Sequence, residues 1–422
     1  MLTAVLFCVF VKILPASAFC MEFLENVNLP KPQWPVTPGR DPARLDMTAK
    51  ELITSRGYPC EEHEVTTKDG YILTLQRIQH GRQNKEYNGP RPVALLNHGA
   101  LASATSFVVN RANESLAFLL ADSGVDVWLA NSRGNAYSRR HKTLSPSDSK
   151  FWDFSFDEIA EYDLPAEIDY IIQKTGVEQI YYIGHSQGAT VGFAKFSEDQ
   201  ELAKKIKHFI ALGPIARVGH INSALRLLVP YAEDLKKFVD VFGKGEIKTL
   251  PRELGPMVEM ACQGQGRELC LNLFFLVGGI DEVALDPTRI DIYSAILPGS
   301  TSAKNLMHWA QSVKSNEFRK FDYGEEENMR KYNQKTPPTY QPSKMQLPVA
   351  VFRGGQDSLA NPTDVSWLMP ELRVTHDILV SWYNHFSFII GVDADERIYS
   401  HILKIIAGDP WETEIVHTVQ PE

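Results

Sequence analysis

The chain has 422 residues, 44% of them hydrophobic and 23% charged, with a formal net charge of -9. That balance fits one large globular domain carrying an insertion, and it excludes a polybasic nucleic-acid or lipid-headgroup binder. No internal repeat, low-complexity run, phosphate-cradling glycine loop or metal-spaced His/Cys/Asp set appears, so neither metal nor organic cofactor is expected.

Residues 1–20, MLTAVLFCVFVKILPASAFC, are apolar around Lys12 and end near Ala16-Ser17-Ala18. Such a run before small residues predicts a secretory signal over 1–18, cleaved after Ala18 and too short and broken to span a bilayer. No later stretch reaches the ~18 apolar residues of a transmembrane helix. The proline-rich residues 19–45 read as an extended arm. EVTTKDGYILTLQRIQ (64–79) reads as two strands around a Lys-Asp-Gly turn. PVALLN (92–97), VDVWLAN (125–131), IYYIG (180–184) and IKHFIALGP (206–214) are short runs of β-formers, as strands buried on both faces should be. Helical spacing lies between them in NESLAFLLADSG (113–124) and in 156–176, where Ile168, Ile171 and Ile172 recur. Alternation at these lengths predicts a parallel sheet wound with helices. Asn113-Glu114-Ser115 is the one usable glycosylation sequon, since Asn361-Pro362-Thr363 is blocked by its proline.

From about 216 to 343 the strand rhythm gives way to helical patterns. Leu235, Phe238, Val239 and Phe242 form a stripe that reads as core or as a substrate-facing surface. LCLNLFFLVGGI (269–280) suits a buried or an interfacial helix. In an oxidising compartment Cys262 and Cys270 are close enough in sequence to close a small loop, leaving Cys60 unpaired or joined to Cys20. Strands resume at LPVAVFRGG (347–355) and HDILVSW (376–382). An insertion over the C-terminal edge of a parallel sheet is placed to cover a ligand crevice.

The motif G-x-S-x-G in YYIGHSQGAT (181–190) follows one of these strands and opens a helix. That context predicts a nucleophile elbow at Ser186, with glycines where neighbouring backbone comes too close for side chains. A serine needs a histidine to take its proton, and that histidine needs a carboxylate to orient it. Asp357 follows VFRGG and His385 follows HDILVSW, giving the order serine, acid, histidine at strand ends. Asp364, which suits a helix start, and Asp377, within a strand, compete with Asp357. The oxyanion donors are expected to be the backbone N–H groups of Gln187 and of Ala100 in the loop NHGALAS. His98 in that loop reads as structural or as shaping it.

The stretches NHGALASATSFVVN, ADSGVDVWLANSRGNAYSRRHKTLSP, IYYIGHSQGAT, MHWAQSVKSNEFRKFDYG, GGQDSLANPTDV and YNHFSFIIGVDA resemble the acid lipase family of gastric and lysosomal acid lipases over about residues 45–407. The resemblance implies an α/β-hydrolase core over 46–215 and 344–422, the latter with a C-terminal tail, and a helical cap with a lid over 216–343. It implies hydrolysis of triacylglycerols or cholesteryl esters at a lipid–water interface by Ser186, Asp357 and His385, with Ala100 and Gln187 as oxyanion residues. Cys262–Cys270 resembles the family's cap disulfide. Ala100 stands where the family commonly has leucine, which leaves more room for an acyl chain, and Ala189 replaces a threonine. Ser387 replaces an aspartate two residues after the histidine, which removes a negative charge from that loop. A single sequon favours secretion over lysosomal delivery. A non-catalytic lipid carrier or adhesion protein, or an enzyme passing the acyl group to an alcohol other than water, are the other readings of this fold.

Overall fold

The computed structural model describes residues 47–248, 255–264, 266–281, 283–296, 299–408 and 415–418, so the signal and arm expected over 1–45 lie outside the described residues. Its strands are β1 (Glu61–Thr66), β2 (Tyr71–Ile78), β3 (Val93–Asn97), β4 (Asp126–Leu129), β5 (Arg140–His141), β6 (Ile180–His185), β7 (Ile206–Leu212), β8 (Glu246–Ile247), β9 (Thr301–Ser302), β10 (Val349–Gly354), β11 (Val374–Val380) and β12 (Ile415–Thr418). Ten of them form one sheet in the order β1-β2-β4-β3-β6-β7-β10-β11-β12, with β5 alongside β2. β2 runs antiparallel to β1, β4 and β5. From β4 to β12 each neighbouring pair is parallel. The chain therefore leaves β3 toward β4 on one side and later returns to lay β6 on its other side. The C-terminal ends of β3 and β6 bound the crevice where such sheets bind ligands.

β3, β4 and β6 are buried along their whole length, which explains their unbroken apolar runs. Alternate residues serve opposite faces. Leu96, Ile183, Ile210 and Phe352 pack with helices α1 (Ala49–Ser55) and α2 (Leu116–Asp122). Leu95, Tyr182, Phe209 and Val351 pack with α3 (Leu164–Thr175) and α4 (Gln187–Glu198). These helices on both faces of a mostly parallel sheet make the α/β-hydrolase architecture.

Between β7 and β10 lie α5 (Ala232–Gly243), α6 (Gly255–Ala261), α7 (Gly266–Gly278), α8 (Ile290–Ile296), α9 (Ala303–Ser315) and α10 (Glu325–Tyr332), together with the small β8–β9 pair. Cys262 and Cys270 form a disulfide that ties the end of α6 to α7. Cys60 is a free thiol among the described residues, and burial pushes it up to about 12, so it stays protonated. The α5 stripe, open to a core or a substrate-facing reading, is divided: Val239 is buried, but Phe242 is 74% exposed. The sheet also gains a third late strand, β12, beyond the two expected. After β10 come α11 (Pro362–Leu368) and, before β12, α12 (Ser400–Ala407), whose Ile402, Ile405 and Ile406 join α1 and α2 on their face of the sheet.

Buried and exposed aromatics should answer differently to mutation. Phe352→Ala, in the centre of β10, is expected to lose about 3–5 kcal/mol of stability. Phe242→Ser should stay within about 0.5 kcal/mol. Equal losses in denaturant titrations would contradict this placement.

Candidate active site

Ser186 stands between β6 and α4 with φ 56° and ψ -121°, a conformation that a non-glycine residue reaches only when its surroundings impose it. Its N–H donates to Leu212 O on β7 at 3.0 Å. It occupies the N-cap position of α4, yet its side chain does not cap that helix, so the hydroxyl is not engaged there. The flanking glycines are steric necessities. A Cβ on Gly188 would stand 2.2 Å from Asn97 O, and one on Gly184 would stand 2.7 Å from Ala189 N.

His385 and Asp357 meet beyond the ends of β11 and β10, both almost fully buried. His385 Nδ1 lies 2.9 Å from Asp357 Oδ2 and 3.1 Å from Oδ1. A carboxylate against Nδ1 places the ring proton there and leaves the Nε2 lone pair free. Nε2 is buried and has no hydrogen-bond partner. Asp357 Oδ1 also accepts the N–H groups of Leu359 at 2.9 Å and Ala360 at 2.7 Å, which lock the acid in place. The competing carboxylates are engaged elsewhere: Asp364 with His220 and Asp377 with Arg353. His185, next to Ser186, has Nε2 at 3.0 Å from His385 O, joining the elbow to the histidine loop.

Gln187 N–H is at the first turn of α4, where unpaired N–H groups and the helix dipole favour negative charge. Its side-chain Oε1 accepts from Asn305 Nδ2 and Trp309 Nε1 of α9, each at 2.8 Å. The loop carrying Ala100 runs against Ser186, since a Cβ on Gly99 would lie 3.0 Å from Ser186 Cβ. His98 braces this loop. Its Nε2 accepts from Ser132 N at 3.1 Å and Asn135 Nδ2 at 3.2 Å, so Nδ1 carries the proton and donates to Gly99 O at 2.8 Å. Gly299 N–H donates to Leu101 O, tying the helical insertion to the same loop.

The structure thus brings Ser186, Gln187, Ala100, Asp357 and His385 to one end of the sheet, with Cys262, Cys270 and the exposed Asn113 outside that group. Sequence reasoning missed the clamp from Asn305 and Trp309, and it missed Gly278. The Gly278 carbonyl accepts both Ser358 N–H at 3.1 Å and His385 N–H at 3.0 Å, holding the acid and histidine loops together. Ser387, which stands in place of an aspartate, hydrogen-bonds through Oγ to Asp281. No group of metal-ligating side chains occurs among the described residues.

Two family models match the chain, a partial alpha/beta-hydrolase lipase region over residues 49–111 and the alpha/beta hydrolase fold over 92–392. The lysosomal acid lipase/cholesteryl ester hydrolase of Homo sapiens is 46% identical over 365 residues, covering 86% of this chain and 91% of that relative. The gastric triacylglycerol lipase of Rattus norvegicus is 46% identical over 381 residues, covering 88% and 94%. Among solved structures, DcsB in complex with its substrate analogue superposes with a TM-score of 0.51 at 13% identity, covering 83% of this chain and 100% of that one, a likeness of fold alone.

Burial holds His98 down at about 4 and His185 at about 3, in His185 with a further push from His385, so both stay neutral in the folded protein. The unfolded chain protonates each near 6.5. Their contribution is therefore complete above pH 6.5 and is lost as pH falls toward these folded values. For His98 the loss is on the order of 3 kcal/mol. His98→Gln, which gains no proton, should show a shallower fall in Tm between about pH 7 and pH 4 than the parent. Parallel slopes would contradict this assignment.

Proposed function

The chain belongs to the acid lipase family of the α/β hydrolases, and we propose that it hydrolyses the ester bonds of triacylglycerols and cholesteryl esters through an acyl-enzyme on Ser186. One observation carries this reading: Asp357 fixes Nδ1 of His385 and leaves its Nε2 buried without a hydrogen-bond partner, while His185, next to the strained Ser186, is bonded to His385 O. Ser186 Oγ attacks the ester carbonyl as Nε2 takes its proton. The carbonyl oxygen becomes an oxyanion facing the N–H groups of Gln187 and Ala100. Collapse expels the alcohol, which receives the proton from Nε2, and leaves the acyl group on Ser186. Water then attacks with Nε2 again as base, releasing the fatty acid and restoring the serine.

Residues 216–343 act in this reading as cap and lid. Ser186 is 7% exposed, and in this reading part of the segment moves to admit substrate. Leu227, Tyr231, Val241, Phe242, Leu276 and Ile280 are exposed on it, a concentration of apolar side chains suited to a lipid surface. No helix among the described residues is long and apolar enough to cross a membrane. The apolar leader over 1–18, the exposed Asn113 of the sequon and the Cys262–Cys270 disulfide support passage through the secretory pathway. The single sequon favours release from the cell.

Ser186→Ala should cut hydrolysis of both a soluble short-chain ester and emulsified triacylglycerol by at least about a thousandfold, measured by titration of released acid. Unchanged long-chain hydrolysis would sink the assignment. The double change Leu227→Ser and Phe242→Ser should slow emulsion hydrolysis about tenfold and leave the soluble ester nearly unaffected. A parallel loss on both substrates would argue against a lipid-facing role for this surface.

A further inference from the structure

The histidine loop is braced by a carboxyl that the triad does not use. Asp281 lies just beyond α7 and is 2% exposed. Its Oδ1 accepts Val283 N–H at 2.9 Å and Ala284 N–H at 2.7 Å. Its Oδ2 is hydrogen-bonded to Ser387 Oγ. Ser387 Oγ in turn receives Asn384 N–H at 3.0 Å and lies 2.9 Å from Asn384 Oδ1. That Asn384 oxygen already accepts Phe386 N–H at 2.8 Å and Ser387 N–H at 3.1 Å, while Nδ2 donates to Gly279 O at 2.8 Å. The side-chain orientation of Asn384 is thereby fixed, and Oδ1 can only accept.

The Ser387 hydroxyl has one hydrogen. Donated to Asp281 Oδ2, it leaves Ser387 Oγ to accept Asn384 N–H and Asn384 Oδ1 to accept its two N–H donors, so every polar atom of the cluster is paired. Removing one member strands a buried polar group, which is costly. The charged neighbour of Asp281 is Asp393, whose Oδ1 accepts the Tyr383 hydroxyl at 2.7 Å and whose Oδ2 lies 3.8 Å from Arg397. Burial, with Asp393 adding to it, holds the Asp281 carboxyl above the usual range against the pull of its own hydrogen bonds.

Asn384 and Ser387 bracket His385 in sequence, so this cluster sets the backbone from which the imidazole projects. We propose that Asp281 is a positioning residue for His385, acting through Ser387 and Asn384. The inference rests on the reading of His385 as the general base.

The test uses the full chain and a soluble p-nitrophenyl ester across a pH series. Asp281→Ala and Ser387→Ala should each lower kcat at least about tenfold with KM within about twofold. Asp281→Asn keeps an oxygen for the Val283 and Ala284 N–H groups and a hydrogen bond to Ser387 Oγ. It should rescue kcat to within about twofold across the pH series. Should Asp281→Ala fail to fold, Ser387→Ala carries the test with the same expected loss. Parental kcat in either alanine variant, or a loss in Asp281→Asn equal to that in Asp281→Ala, would overturn the proposal. Ser186→Ala run in parallel separates the two levels. If it stays active the reading of the site fails, whereas inactive Ser186→Ala beside fully active Asp281→Ala overturns only the role of Asp281.

Discussion

Ser186 sits at φ 56° and ψ -121°, and nothing local to a serine favours that turn. It is imposed from three sides. β7 accepts its N–H through Leu212 O, α4 begins immediately after it, and Gly188 presses against the Asn97 carbonyl at the end of β3. Such a conformation costs on the order of 1–3 kcal/mol, and the surrounding sheet absorbs it. In return the side chain stands clear of both β6 and α4, and the first N–H groups of a helix point into the same space. The position of β3 beside β6 follows from the reversal of strand order, so the loop carrying Ala100 lies beside the serine because of topology.

The remaining parts are held by the helical insertion as much as by the sheet. Asp357 and His385 are 28 residues apart and follow different strands, yet their loops share one acceptor in Gly278 O at the end of α7. On the other side, Asn305 and Trp309 of α9 hold Gln187 by its side chain. The insertion is thus joined at its inner ends to the elements that carry the proposed site. In the proposed lid movement, these two joints stay closed so that the site remains assembled. The exposed apolar side chains on α5 fit that division, since they lie on the outer part of the same segment.

The sheet's central strands were legible because burial on both faces writes a continuous apolar run into β3, β4 and β6. The elbow was legible because its glycines are required by backbone approach, and the acid and histidine because they follow strand ends in order. β12 went unread: it follows the last expected strand by more than thirty residues, on the edge of the sheet. Phe242 was open to two readings because helical spacing reports that a helix is amphipathic but not what covers its apolar face. The Gly278 carbonyl, the His185 contact to His385 O and the Asn305–Gln187 pair left no trace. Each links residues 80 or more apart in sequence, and two of them use backbone atoms that every residue type supplies.

The account stands on Ser186 being the reactive group, and covalent labelling of the folded chain examines that without reference to any particular lipid. Treatment with a fluorophosphonate followed by peptide mapping in a mass spectrometer should find one adduct, on Ser186 within YYIGHSQGAT, and His385→Ala should slow its formation sharply. A folded protein that takes up no label, or one labelled at another serine with Ser186 unmodified, would contradict it.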